Sequence, residues 1–348
     1  MLLWVECPQK LYVLEMSKYL VLGYFGYRTN QLDGQTVKTR DLYQLVQQQK
    51  EEVSFYDTQE FKYNKLSILK MFWQVIKCDT LIYLPAHNNL KYIFPFIFIL
   101  SKLFRFEIHY YVVGGWLREF IGKLPLHKKM LGKIAGIHVE TSTLKKELIE
   151  YYNFSNVDLF PNFRFFEFTP NRFSDDKLRL VFVARINRMK GLDWIFEFAN
   201  YIVTHEVQHR FSITLYGPIN EDDREYFDGM LRRFPMVKYK GVLQPDEIYG
   251  TLNNYDALLL PTHYYTEGLP GSIVDAYISG IPVVVTKWKH AHEFVEEGKT
   301  GFIVPFEDGV QQFIDTLLSL ESNRELLWQL QQNALEKRAD FAPPVLNV

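Results

Sequence analysis

Cysteine is nearly absent, with only Cys7 and Cys78 in 348 residues. Two thiols supply neither a disulfide framework nor a cysteine-based metal site, which fits a reducing cytosol. Long hydrophobic runs are also missing. The longest, Ile93 to Leu100, has eight residues and contains Pro95, whereas a membrane-crossing helix needs roughly 20. Residues 1–15 (MLLWVECPQKLYVLE) have no basic region ahead of their apolar residues, and Glu6 and Pro8 interrupt them, so no signal peptide is read there. Met16-Ser17-Lys18 reads like a natural start running into a first strand, and 1–15 are expected to be an upstream extension. Solenoid-period repeats and low-complexity tracts are lacking too.

The chain is too long for one ordinary core and suits two domains of roughly 150 residues. Short apolar runs alternate with helix-period segments, the pattern of an α/β protein with parallel sheets. Expected strands are 18–25, 52–56, 79–84, 106–113, 135–140 and 157–160, then 178–184, 211–217, 237–241, 256–262, 282–286 and 302–305. Helical stretches include 35–49, 64–77 and 143–152. Continuous Val/Ile/Leu runs imply strands covered on both faces. The periodicity breaks over 161–177, where Pro, Asn and Asp accumulate. Domains of 16–172 and 173–335 are therefore expected, with 336–348 returning towards the first.

Net charge is −2, yet the halves differ. Residues 16–172 carry 21 Lys and Arg against 14 acids; residues 173–348 carry 17 against 25. A basic half suits an anionic membrane surface or a phosphate-bearing acceptor. No nucleic-acid partner is expected.

The first chemical constellation follows the strand 178–184. Arg185 leaves the strand end, and Lys190-Gly191 open the next helix, an R-x4-K-G turn. Two cations beside a helix N-terminus suit a diphosphate, because fixed charge, free backbone donors and the helix dipole act together. A solvated loop is the plain alternative for so short a pattern. The second lies in DALLLPTHYYTEGLPGSIVDAYISGIPVVVT. Glu267-Gly268-Leu269-Pro270 precede a helix from about Gly271, and Asp275 stands eight positions after Glu267. Gly268 and Gly271 let backbone approach a ligand. Glu267 is placed to accept from sugar hydroxyls and Asp275 from hydroxyls on the nucleoside side.

Together these segments, over about 173–320, resemble the family 4 glycosyltransferases, also called glycosyl transferases group 1. The resemblance includes Gly217 of Leu215-Tyr216-Gly217, Tyr239-Lys240-Gly241-Val242, and the run His292 to Val304. It implies a GT-B fold: two facing Rossmann-like, doubly wound domains with a cleft between them. It further implies metal-independent transfer of a sugar from a nucleotide-sugar donor, with retention at the anomeric carbon. By resemblance Arg185 and Lys190 hold the donor diphosphate, Glu267 the sugar, and Asp275 takes the ribose-binding position, where the family usually has Glu. Gly217, Gly268 and Leu269 complete the donor side. No Asp-x-Asp motif occurs, so the leaving-group charge falls to Arg185, Lys190 and helix ends, and neither cofactor nor metal is expected.

The N-terminal half matches more loosely. Gly34-Gln35 before a helix correspond to the family's glycine loop near donor and acceptor, although Asp33-Gly34 also reads as a capped turn. The family often has a histidine at the end of a central strand. Here His87 and His109 do not fit, Gly114 falls where that histidine is expected, and no catalytic histidine is assigned. Trp116–Lys133 carries Arg118, Lys123, Lys128, Lys129 and Lys133 against Glu119, with Trp116, Phe120 and Leu124 interleaved. That stretch reads either as a solvated helix face or as a membrane-surface helix, the latter favoured by the basic half. The expected protein is a cytoplasmic enzyme of cell-surface polysaccharide synthesis, peripheral on the inner face of the membrane, using a glycan or lipid-linked acceptor. A nucleotide-sugar 2-epimerase shares the fold, but the two constellations argue against it. A non-catalytic GT-B partner protein is the third reading.

Overall fold

The computed structural model describes residues 18–171 and 177–348. The expected extension 1–15, Cys7, Met16-Ser17 and the 172/173 boundary lie outside the described residues.

All twelve expected strands are present. The first sheet holds β1 (Tyr19–Gly23), β2 (Val53–Asp57), β3 (Thr80–Leu84), β4 (Glu107–Tyr111), β5 (Gly136–Val139) and β6 (Val157–Leu159). The second holds β7 (Leu178–Val183), β8 (Phe211–Tyr216), β9 (Val237–Tyr239), β10 (Ala257–Leu260), β11 (Val283–Thr286) and β12 (Gly301–Val304). Every pairing between these strands is parallel, so crossover helices must cover both faces.

The first sheet runs β2-β1-β3-β4-β5-β6 and the second β12-β11-β10-β7-β8-β9. Each is doubly wound, and the direction of winding reverses between β1 and β3 and again between β7 and β10. Crevices at the carboxyl ends of strands at such reversals are where open parallel sheets bind ligands.

Helices of the first half are α1 (Gly34–Gln49), α2 (Ser67–Val75), α3 (His87–Tyr92), α4 (Phe94–Phe104), α5 (Leu117–Gly122), α6 (Pro125–Leu131) and α7 (Ser142–Tyr152). Met71 and Val75 of α2, Phe94 and Ile97 of α4, and Leu144 and Leu148 of α7 pack with Leu20, Leu22 and Leu81 on one face of the sheet. On the other face Leu42, Leu45 and Val46 of α1 pack with Val21 and Ile82. Leu346, near the C-terminus, joins this second layer. Its N–H donates to Gln49 Oε1 at 2.8 Å, and Lys50 Nζ reaches Val348 O.

In the second half the helices are α8 (Leu192–Thr204), α9 (Arg224–Arg233), α10 (Ile248–Leu252), α11 (Gly271–Ile278), α12 (Ala291–Phe294), α13 (Val310–Ser322) and α14 (Arg324–Lys337). Their apolar faces and the second sheet share one continuous core, in which Phe182, Phe196, Phe198 and Phe313 are at most 1% exposed. Each such ring adds on the order of 1.5–3 kcal/mol relative to solvent exposure. Among the described residues no helix is long and apolar enough to cross a membrane.

Candidate active site

The crevice between β7 and β10 collects the residues singled out in the second half. Arg185 and Lys190 come from the loop after β7, Glu267 from the loop after β10. The two loops are stitched together: His263 N donates to Met189 O at 2.8 Å and Thr262 Oγ1 to the same oxygen at 3.3 Å. Across them Lys190 Nζ stands 2.6 Å from Glu267 Oε2, each side chain nearly one-fifth exposed. This ammonium also lies 5.0 Å from the ring centre of Tyr264. Arg185 turns the other way, towards the first half, with its guanidinium 3.5 Å from Asp33 Oδ2. The two cations therefore sit on the same loop but face opposite walls of the cleft.

Asp33 itself caps α1. Its side chain accepts from Gln35 N and Thr36 N, and Thr36 Oγ1 accepts in return from Asp33 N, a reciprocal cap that stabilises a helix start by about 1 kcal/mol. Gly34 is exposed, and a Cβ there would meet nothing within 4 Å. Packing thus places no demand on that glycine. Gln35 Nε2 is buried without a hydrogen-bond partner among the described residues, a donor at the helix start that lacks an acceptor. The N-terminus of α1 and Arg185 consequently face one another across the cleft.

Gly217 and Gly268 serve different ends. Gly217 has φ +139°, and a Cβ would collide with Ala184 O. Its N–H donates to Gly241 O at 2.8 Å, so this glycine brings the ends of β7, β8 and β9 together. At Gly268 a Cβ would strike Glu140 Oε2 and approach Gly114 Cα to 2.8 Å. That glycine lets the loop after β10 lie directly on the ends of β4 and β5.

The contact at Gly268 rests on residues that the sequence did not single out. Glu140, at the end of β5, is 2% exposed. Its Oε2 accepts from Gly114 N at 3.1 Å and from Leu269 N at 3.2 Å. Its Oε1 is 2.5 Å from Nζ of Lys38, a buried α1 lysine that also donates to Val112 O. Burial lowers the Lys38 pKa, opposed by the attraction of Glu140. A carboxylate from the first half thus fixes the backbone of the loop after β10, beside Gly114, the position where the family's histidine was expected. Gly115 N donates to Thr266 O at 3.1 Å beside it. His290, fully buried, packs against Gly115 from the second half.

Asp275 is buried in α11, its Oδ1 accepting from Arg164 Nε at 3.0 Å. Arg164 also reaches Asp41 Oδ2 of α1 at 3.1 Å. One guanidinium therefore ties α1 to α11. Burial raises the carboxyl pKa of Asp275, opposed by Arg164. For Asp41, burial likewise outweighs Arg164 and pushes the pKa up to about 6. A further tie joins Glu293 of α12 to the start of α7, through Ser142 N, Ser142 Oγ and Thr143 N. Burial alone would raise Glu293, but the nearby His290 ring and the hydrogen bonds from Ser142 and Thr143 prevail and hold it at about 2.

The aromatic side chains in the basic stretch 116–133 turn inwards, contrary to the membrane-surface reading. Leu117 and Ile121 are fully buried and Phe120 is 8% exposed, while Trp116 Nε1 donates to Val113 O. Helix periodicity directs these apolar residues to the core and leaves Lys123, Lys129 and Lys133 outside. Beside them a cavity of about 350 Å³ opens where α3 and α5 begin, lined by His87, Lys91, Trp116, Glu119, Phe120 and Lys123, with Leu124. Among the described residues no group of three or more His, Cys, Asp or Glu is set to hold a metal.

Residues 177–323 match the family model described as glycosyl transferases group 1. Over 135 residues the chain is 30% identical to a Salmonella typhimurium protein provisionally named as a colanic acid biosynthesis glycosyltransferase, covering 38% of this chain and 33% of that protein. Over 209 residues it is 25% identical to a poly(ribitol-phosphate) alpha-N-acetylglucosaminyltransferase of Staphylococcus aureus, covering 59% of this chain and 40% of the other. The aligned region thus spans less than half the length of either relative. A solved Anabaena structure, Alr3699/HepE in complex with UDP and glucose, superposes with a TM-score of 0.71 at 14% identity, covering 94% of this chain and 95% of that one. The fold is GT-B, and the family match lies within the second half.

Proposed function

We propose that the chain transfers a sugar from a nucleotide-sugar donor to a glycan or lipid-linked acceptor in cell-surface polysaccharide synthesis, with anomeric retention and without a metal. The observation that carries this reading is the Lys190–Glu267 pair, 2.6 Å apart across the β7/β10 crevice. Lys190 and Arg185 meet the diphosphate as negative charge develops on it, where fixed charge in a partly dry site is most effective. Glu267, oriented by Lys190, accepts from sugar hydroxyls. Gly34 and Gln35 bring the start of α1 to the phosphates, with the free Gln35 Nε2 as a donor. Gly268 and Leu269 lie along the sugar, and Gly217 shapes the floor of the crevice. Asp275, oriented by Arg164, faces the ribose. Glu140 is a positioning residue that holds the Leu269 backbone. The aromatic and cationic cavity at α3 and α5 receives the acceptor.

A panel of UDP-, GDP- and ADP-sugars screened by thermal shift identifies the donor, because a ligand of the folded state raises Tm. NMR of that donor with the protein in excess EDTA then reads the chemistry. The expected outcome is release of nucleoside diphosphate with the sugar's configuration kept. Appearance of the donor's 2-epimer would assign an epimerase, and a panel in which no nucleotide sugar is bound or consumed would assign a non-catalytic partner.

A further inference from the structure

The outer surface of the first half's helical layer carries a charge bias that the enzyme's cleft does not use. Residues 62–77, 87–106 and 120–135, which include α2, α3–α4 and α6, contain eleven lysines and arginines and no aspartate or glutamate. All three segments pack on the same face of the sheet, so their outer sides form one surface. Lys102 Nζ donates to Lys133 O at 3.2 Å and ties the end of α4 to the turn after α6.

The same surface exposes large apolar side chains. On α4 Phe96, Ile99 and Leu103 are 61%, 53% and 69% exposed. Their spacing of three and four places them on one helical stripe, opposite the buried Phe94, Ile97 and Ser101. Leu66 and Leu69 of the α2 region and Leu126 of α6 are exposed on the same layer, at 72%, 65% and 58%. The ammonium groups of Lys91, Lys102 and Lys77 stand over the rings of Tyr92, Phe98 and Trp73, 5.1, 5.1 and 3.6 Å from their centres.

We infer that this layer, with the α4 stripe at its centre, seats the protein on an anionic phospholipid bilayer. The interleaving of apolar rings with cations and the lack of carboxylates within these three segments match an interface that is apolar below and negatively charged above. A second copy meeting through the same patch would set cations against cations, because a two-fold interface pairs identical surfaces. Sequence singled out the 116–133 stretch, whose aromatics face inward; the bilayer face lies on α2, α4 and the lysines of α6. Lys91 and Lys123 belong both to this surface and to the rim of the cavity at α3 and α5. On the transfer reading, a lipid-linked acceptor anchored in the bilayer would reach the cleft through that cavity. Membrane seating itself does not require the transfer reading.

Co-sedimentation of the full chain with vesicles tests it. In low salt the wild type is expected to pellet with phosphatidylcholine vesicles containing about one-third phosphatidylglycerol, and to stay in solution with phosphatidylcholine alone. Raised salt should release it, since the reach of surface charge falls to about 8 Å at physiological ionic strength. A Phe96→Ser, Ile99→Ser, Leu103→Ser variant should bind vesicles at least tenfold more weakly, as should a Lys65→Glu, Lys129→Glu, Lys133→Glu variant. Both should keep the wild-type Tm, because all six side chains are exposed. Wild type that remains in the supernatant with anionic vesicles, or a triple-serine variant that pellets undiminished, would overturn the inference. So would a wild-type dimer in sedimentation velocity that the triple-serine change converts to monomer. Vesicle binding without binding of any nucleotide sugar would refute the transfer reading and leave this one standing.

Discussion

The two halves share one plan, a six-stranded parallel sheet wound both ways from its first strand, yet they distribute their charges differently. The second half is acidic overall and presents cations, Arg185 and Lys190, at its crevice. The first half is basic overall and presents carboxylates, Asp33 and Glu140, at the facing edge. About half of its cations, eleven of 21, lie instead on the outer helical layer. Net charge therefore says little about what a half offers to a ligand. The charges at the cleft are set locally, by the loops at the carboxyl ends of the strands, and several pair across the two halves: Arg185 with Asp33, and Lys289 with Glu147.

The comparison breaks most severely at Arg164, the one residue, among the described residues, whose ion pairs reach acids of both halves. Arg164→Met leaves the buried Asp275 and the partly buried Asp41 near one another without the cation that bridges them. Loss of one member of a buried ionic group typically costs about 3–5 kcal/mol. Urea denaturation at neutral pH should show a loss of that order. The Asp41→Asn, Asp275→Asn double change in the Arg164→Met background should recover part of it, and no recovery would mean that lost packing, rather than unpaired charge, explains the cost.

Lys190→Ala should separate chemistry from folding. One stabiliser of developing negative charge is worth about 100- to 1000-fold in rate, so kcat should fall by that factor with Tm little changed. Retention of more than about a third of wild-type kcat/KM would take Lys190 out of the proposed chemistry.

Acid should loosen the contact between the halves at a definite place. Glu293 binds its proton less readily in the fold, at about 2, than in the unfolded chain, near 4.5. Its contribution is therefore complete above about pH 4.5 and is lost as pH falls towards 2. Asp41 has the opposite sign. Its pKa is raised to about 6, so its ionisation costs stability as pH rises from about 4 to 6. Glu293→Gln should flatten the acid limb of a Tm-against-pH profile between pH 4.5 and 2 and leave the pH 4–6 region unchanged. An acid limb identical to wild type would remove Glu293 from the account.

The smallest effect is expected at Gly34. Its Cβ position is open and its φ is not left-handed, so Gly34→Ala should raise stability by about 0.4–1 kcal/mol. If α1 starts against the donor phosphates, the same change should weaken donor binding. A variant both more stable and equally tight would show that this helix start is only a turn.

Much of the fold was legible because parallel strands covered on both faces are written as unbroken apolar runs. Ala257–Leu260 and Val283–Thr286 stand out that way, whereas Val53–Asp57, Val157–Leu159 and Val237–Tyr239 carry polar residues and were placed by their alternation with helical stretches. The residues proposed for the donor side could be singled out because R-x4-K-G and the segment from Glu267 to Asp275 are local patterns. The structure then added the crevice that joins Lys190 to Glu267, 77 residues apart. Glu140 was not legible, since its meaning depends on Lys38, 102 residues away, and on a backbone N–H of the other half. Arg164 hid for the same reason, being 111 and 123 residues from its partners. The α4 stripe was obscured by Pro95, which reads as a break but sits at the first turn of a helix, where proline is tolerated. In 116–133 the cations were visible in sequence, but the side on which the aromatics lie depends on the core beneath them.

The central claim is that a nucleoside diphosphate binds at the β7/β10 crevice through side-chain cations rather than through a metal. Calorimetric titration of UDP, GDP and ADP in excess EDTA, into the wild type and Arg185→Ala, tests it directly. At least one diphosphate should bind the wild type, and Arg185→Ala should weaken that binding about 10- to 100-fold, the usual range for a hydrogen bond to a charged group. Equal affinity in the two proteins, or binding that appears only when magnesium or manganese is restored, would contradict it.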